Sequence, residues 1–221
     1  MCSRFTHRLT WKQINELYRL TGAEPMEFDP RYNLAPRQKA PVIRECPDGL
    51  REAVMMRWGL IPAWAGDPSI AYKTINARAE TVATAPSYRA AFKTRRCIVP
   101  ASGFYEWQKT GGPKQPWLIE AIDDAPLSLA GLWERWEKGE QPVETFSIIT
   151  TTPNELVAPI HDRMPVILAP EDFDAWLKPE PLPAATSLLR PYPADLMKAC
   201  RISTRVNSPK NDDPAIIEPV Q

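Results

Sequence analysis

Cys2, in the opening "MCSRF", puts a thiol at the second position of the chain. Initiator methionine is commonly removed when a small residue follows, and cysteine qualifies. Removal of Met1 would leave Cys2 with an α-amine and a thiol on adjacent carbons. Such a 1,2-aminothiol condenses with an aldehyde to an imine. The thiol then adds to the imine carbon and closes a five-membered thiazolidine. An α-amine titrates near pH 7.7–8.0, so a useful fraction is neutral and nucleophilic at about pH 7. The chemistry needs a proton acceptor near the amine and a donor for the hydroxyl that leaves as the imine forms.

Three polar groups in apolar surroundings are candidates for those tasks. Glu106 lies in "GFYEWQK" between Tyr105 and Trp107. A carboxylate there is either exposed on one strand face or held in a cleft with a raised pKa. His161, in "APIHDRMPVIL", is one of only two histidines, and it is either structural or a proton carrier. Asn76, in "TINARAE", follows a β-branched pair, where its amide would orient a reacting group or fix a turn.

The elements that must carry these residues are mostly short strands. "TWKQINELYRLTG" predicts a helix, with Thr10 and Gln13 as a capping box, a 3.6-period apolar stripe and Gly22 as its end. Strand-like runs follow: "APVIREC", "EAVMMRWG", "CIVP", "GFYEWQK", "PWLIEA", "LSLAGLW", "TFSIIT", "PVIL" and "CRIST". "GFYEWQKTGGPKQPWLIEA" reads as a hairpin around Thr110–Pro113. Further helices are expected over Ser87–Lys93, Glu171–Lys178 and Pro193–Lys198, and "KPEPLP" reads as a linker. The expected fold is α+β, one domain over residues 1–221, with a strongly bent, mostly antiparallel sheet or partial barrel and flanking helices.

Composition narrows the function classes. A 43% hydrophobic, 24% charged chain of 221 residues is an ordinary globular protein. It has no apolar run of the roughly 18–20 residues that cross a bilayer, and no signal peptide is visible, so the expected setting is cytoplasmic without membrane contact. Cys2, Cys46, Cys97 and Cys200 form no C-x-x-C pair, and no metal site or cofactor is expected. Cys97 and Cys200 read as core residues and Cys46 as a strand end. The net charge of +0 hides an imbalance. Residues 72–117 carry eight Lys/Arg against two acids, while residues 118–180 carry four against thirteen. That chain either folds with a basic and an acidic face or interleaves the two. A basic groove containing Arg89, Lys93, Arg95 and Arg96, with aromatic platforms from Trp58, Trp64, Tyr105 and Trp107, would suit single-stranded nucleic acid.

In order along the chain, "MCSRF", "RYNLAP", "WGLIPAW", "INARAET", "GFYEW", "IHDRMPVIL" and the closing "RVNSPKNDDPAIIEPV" resemble the motifs of the SRAP (SOS response-associated peptidase) family. The resemblance implies an abasic-site sensor that forms a covalent thiazolidine between processed Cys2 and the ring-opened abasic site of single-stranded DNA or a single-strand/double-strand junction. An associated AP-lyase activity, autocatalytic Met1 removal and a monomeric state belong to the same expectation. By resemblance, Cys2 is the nucleophile, Glu106 handles protons at the amine, and His161 assists ring opening and reversal. Asn76 positions the sugar, Arg4 and Arg78 hold phosphates, and Thr150 lines the pocket. Asn33, Pro36 and Trp64 lie where similar proteins contact or wedge apart flanking bases. One departure is Ser3, where similar proteins carry glycine. The alternative is an N-terminal-nucleophile peptidase or amidohydrolase in which Cys2 attacks a carbonyl.

Overall fold

The computed structural model describes residues 2–21, 29–179 and 181–220. Two sheets share a core. The first is a five-stranded antiparallel sheet in the order β12-β8-β7-β1-β2, built from β1 (Phe5–His7), β2 (Arg31–Leu34), β7 (Gly103–Gln108), β8 (Gln115–Ala121) and β12 (Met197–Arg201). The second contains β3 (Lys39–Glu45), β4 (Arg51–Trp58), β6 (Arg96–Ala101), β9 (Leu127–Trp136) and β10 (Val143–Thr151). These five close on themselves, because β10 pairs antiparallel with β9 and parallel with β4, at Phe146 opposite Trp58. The expected partial barrel is therefore a closed one with a parallel seam. Two short strands extend β10: β5 (Asn76–Arg78), parallel to it, and β11 (Met164–Pro165), antiparallel.

Large apolar side chains fill the space between the sheets. Phe5 of β1 meets Trp58 edge-on at 5.1 Å, and Trp58 stacks on Phe146 at 6.1 Å. Trp58 is therefore a core residue with its indole N–H on the Ile75 carbonyl, and it offers no platform to a ligand. Closure also demands a glycine at Gly131 of β9. A Cβ there would sit 3.0 Å from both Cys97 Sγ and the Ser147 carbonyl oxygen.

The first helix, α1 (Trp11–Tyr18), starts as expected: Thr10 Oγ1 accepts from the Gln13 amide and Gln13 Oε1 accepts from the Thr10 amide. It ends with Arg19 in the left-handed region (φ 54°), whereas Gly22 lies outside the described residues. The helix expected over Ser87–Lys93 is α2 (Arg89–Thr94), and that over Glu171–Lys178 is a 3-10 turn leading into α3 (Phe173–Leu177). Two expectations need correction. Within Pro193–Lys198 only Ala194–Leu196 is helical, as a 3-10 turn, because Met197 and Lys198 pair with β8. In "KPEPLP", Leu182 and Pro183 open α4 (Leu182–Ser187), with proline in the first turn, where its missing N–H costs no hydrogen bond. No described helix is long and apolar enough to cross a membrane.

Interleaving takes up only part of the charge imbalance, and Lys73, Arg78, Arg89, Lys93, Lys109 and Lys114 stay exposed. Arg95 pairs with Glu134 at 2.8 Å, and Arg163 pairs with Glu80 at 2.7 Å, each joining the basic stretch to the acidic one. Arg96 is buried and donates to the carbonyls of Phe92, Lys93, Trp176 and Lys178. Arg95 and Arg96 thus knit α2 and α3 to the barrel, while Arg89 and Lys93 stay exposed.

Candidate active site

Cys2 precedes β1 and is fully buried, packed in the same apolar cluster as Phe5, Phe104, Ile148 and Val157. Its Sγ lies 3.9 Å from the Arg4 carbonyl oxygen, a weak thiol contact. Burial and the nearby Glu106 carboxylate push the thiol well above its ordinary range. The thiol stays protonated at neutral pH and is held out of water.

Glu106 stands on β7, opposite Trp117 of β8, and is 1% exposed. Of the two readings of this carboxylate, the structure gives the cleft. Burial, reinforced by Asp162, pushes its pKa up to about 8. At that value the carboxyl is poised to give and take a proton near neutrality.

His161 sits on the loop between β10 and β11, with Nε2 3.7 Å from Glu106 Oε2. The Arg163 backbone N–H and the Asp162 carboxylate both lie 3.1 Å from Nδ1, while Nε2 faces Glu106. Burial holds the imidazole below its ordinary pKa. Asn154 shapes this loop by accepting from the Val157 amide at 3.0 Å and donating to the Tyr192 carbonyl at 2.7 Å. Arg163 braces it, reaching Glu80 with both terminal nitrogens and the Thr150 carbonyl at 2.6 Å. Neither Asn154 nor Arg163 was singled out from sequence. The neighbouring "IHDRMP" motif carried the only signal.

Glu106 and His161 line an open cleft of about 480 Å³ together with Ser3, Arg4, Trp107, Pro113, Lys114, Thr204 and Asn207. Trp107 is half-buried, and its indole N–H donates to Asn207 Oδ1 at 2.7 Å. Tyr105 points the other way: it is buried, and its hydroxyl donates to the Tyr32 carbonyl. Ser3 occupies no left-handed position, since the non-glycine residues with positive φ are Arg19, Arg37 and Asp124 among those described. Serine is therefore accommodated without backbone strain.

A second group lies on the β5–β10 ladder. Asn76 is 9% exposed, and both polar atoms of its amide are buried without a hydrogen-bond partner. Leaving such groups unsatisfied typically costs about 1–3 kcal/mol each. Arg78 is exposed and stands opposite Thr150 in the register, while Thr150 is buried with its hydroxyl near the Ala77 carbonyl. Ile148, opposite Asn76, packs in the Cys2 cluster, and Arg163 ties Thr150 to the His161 loop. The two groups are thus mechanically joined.

The remaining three predicted residues fall elsewhere. Trp64 is 56% exposed, with its indole N–H on the Pro86 carbonyl at 3.3 Å. Pro36 is half-buried in the turn after β2, beside Arg37, whose guanidinium covers the exposed Tyr72 ring at 5.1 Å. Asn33 is fully buried and presents no surface to a base. Its amide is taken up by Arg4 and by three carbonyls of the C-terminal segment.

This arrangement has relatives. A chain-long alignment, 44% identical over 99% of both chains, joins the protein to the abasic site processing protein YoqW of Bacillus subtilis. The abasic site processing protein YedK of Escherichia coli is 32% identical over the whole of both chains. The Gallus gallus protein HMCES, of the same description, is 35% identical over 88% of this chain and 67% of its own. A solved structure from Bacteroides thetaiotaomicron superposes with a TM-score of 0.90 at 31% identity, covering 100% of both chains. The family model described as SOS response associated peptidase matches residues 1–209, a span that holds Cys2, the cleft and both strand groups. With its motifs, barrel and chain-long relatives in agreement, the chain belongs to the SRAP family.

Proposed function

We propose that this protein captures abasic sites in single-stranded DNA as a thiazolidine on Cys2, once Met1 has been removed. The carrying observation is a buried thiol beside a buried carboxyl of raised pKa, with a histidine 3.7 Å from that carboxyl at the edge of an open cleft. Glu106 accepts a proton from the Cys2 ammonium, freeing the amine to attack the aldehyde carbon of the ring-opened sugar. The same carboxyl returns the proton to the hydroxyl, which leaves as water and yields the imine. The Cys2 sulfur then adds to the imine carbon and its proton passes to nitrogen, closing the ring. His161 protonates the ring oxygen of the closed sugar as the ring C–O bond breaks and the anomeric hydroxyl gives its proton to water, which generates the aldehyde. Asn76 supplies its unpartnered amide to the sugar. Thr150 lines the pocket, and Arg4, Arg78, Pro36 and Trp64 hold the flanking strand. Lyase cleavage follows if a base removes a proton beside the imine carbon and the 3′ phosphate departs.

A denaturing gel with an abasic oligonucleotide tests this reading. The expected result is a heat-stable, slower band from protein whose intact mass lacks Met1. Cys2→Ser should give a band only after borohydride, since oxygen closes the ring poorly. A heat-stable band from the serine variant without reductant overturns the mechanism. Absence of any crosslink from processed wild type favours the amidohydrolase alternative.

A further inference from the structure

The cleft wall opposite Glu106 comes from the far end of the chain. Thr204 and Asn207 sit in a 3-10 turn, Thr204–Asn207, that is capped by Ser203. Val206 of this turn is buried against Tyr105 and Leu118, and side-chain hydrogen bonds hold its polar backbone. Asn33 Nδ2 lies 3.2, 3.0 and 2.7 Å from the carbonyl oxygens of Val206, Ser208 and Asn211. Asp212 Oδ1 accepts from the backbone amides of Tyr32 (2.6 Å) and Asn33 (2.9 Å), and its Oδ2 accepts from Arg31 Nε. One β2 side chain and one C-terminal carboxylate thus fasten residues 203–213 to the sheet.

The same fastening sets Arg4. Its Nη1 donates to Asn33 Oδ1 at 2.7 Å and to the Val206 carbonyl at 2.8 Å, and the Asn207 carbonyl lies 3.5 Å from Nη2. The guanidinium lies 5.9 Å from the Trp107 ring, whose N–H is bound by Asn207. Every one of these acceptors is neutral. The cation is held in place at the cleft yet its charge is not cancelled, which suits an incoming anion.

We propose that Asn33 and Asp212 are positioning residues: they fold residues 203–213 into a wall of the cleft and hold Arg4 there, uncancelled, for a DNA phosphate. This rests on the function proposed above. Asn33 acts through Arg4, and Asp212 acts through Asn33. Asp212 lies beyond residues 1–209, the span matched by the family model.

The test uses the full-length protein and an undamaged single-stranded oligonucleotide, with affinity followed by fluorescence anisotropy across a salt series. Each phosphate contact contributes a slope of about 0.7 in log affinity against log salt. Arg4→Ala should lower the slope by about 0.7. Asn33→Asp keeps the oxygen on Arg4 but cancels its charge and faces the three carbonyls. It should lower the slope by the same amount, with no further loss in the Arg4→Ala/Asn33→Asp double variant. Both single variants should need more abasic DNA than wild type to reach half-maximal crosslinking. Asp212→Ala, at a partly exposed site, gives the same comparison should Asn33→Asp fail to fold. A wild-type slope in Asn33→Asp and Asp212→Ala, or losses that add to Arg4→Ala, overturns the proposal while sparing the crosslinking chemistry. Wild-type protein with no affinity for the strand overturns both.

Discussion

Glu106 carries the sharpest conflict between stability and use. Its carboxyl is raised from 4.5 to about 8 by burial, so the folded protein holds a proton that the unfolded chain releases. The associated stability is complete below about pH 4.5 and is lost as pH rises toward 8. Glu106→Gln, which keeps the shape and never ionises, should therefore match wild type near pH 4 and exceed it at pH 9 by about 2–4 kcal/mol. Urea melts at the two pH values check this, and equal differences at both would refute the raised pKa. The same variant should crosslink about 10²–10⁴-fold more slowly and lose lyase cleavage, because the base is gone. His161→Ala should behave differently: slower crosslinking, and slower release of DNA from a preformed crosslink, measured by exchange onto excess aldehyde. Release at the wild-type rate would remove His161 from the mechanism. Cys2, Glu106 and His161 were legible in the sequence because motif order survives without knowledge of distances. The bracing by Arg163 and Asp212 was not, since nothing local in "DRMP" or "KNDDP" announces a partner 83 or 180 residues away.

Among the elements, β9 and β10 make the barrel possible, and Gly131 is where they leave no room. Gly131→Ala forces a Cβ to 3.0 Å from a sulfur and a carbonyl oxygen on the two flanking strands. Overpacking of this kind costs about 1–3 kcal/mol. The thermal midpoint should fall by several degrees, while crosslinking at room temperature stays near wild type. A midpoint equal to wild type would show that the barrel yields there. The longer strands were readable from runs such as "LSLAGLW" because β-branched and apolar residues concentrate in them. β1, β2 and β5 were not, being only three or four residues long. Closure through the parallel β4–β10 seam was equally hidden, since it joins segments some ninety residues apart.

For the molecule as a whole, the basic stretch keeps Lys73, Arg78, Arg89, Lys93, Lys109 and Lys114 exposed, open to a polyanion. Arg78 is exposed and at the register position beside the proposed sugar site. Arg78→Ala should flatten the salt dependence of single-strand binding by about 0.7. An unchanged slope would show that Arg78 touches no phosphate. The basic stretch read from composition keeps most, not all, of its cations at the surface. Residues such as Arg95 and Arg96 are spent on Glu134 and on helix-end carbonyls, and only coordinates reveal that.

The place of Cys2, two residues ahead of β1, has a mechanical consequence. In the proposed adduct the DNA hangs from the very end of the polypeptide. A motor hauling on that strand would load β1, three residues gripped between β2 and β7 and anchored by the fully buried Phe5 ring. Covalent bonds in the thiazolidine outlast such a grip. Traction would therefore peel the protein open from its first strand, handing a protease an unravelling end while the lesion stays capped.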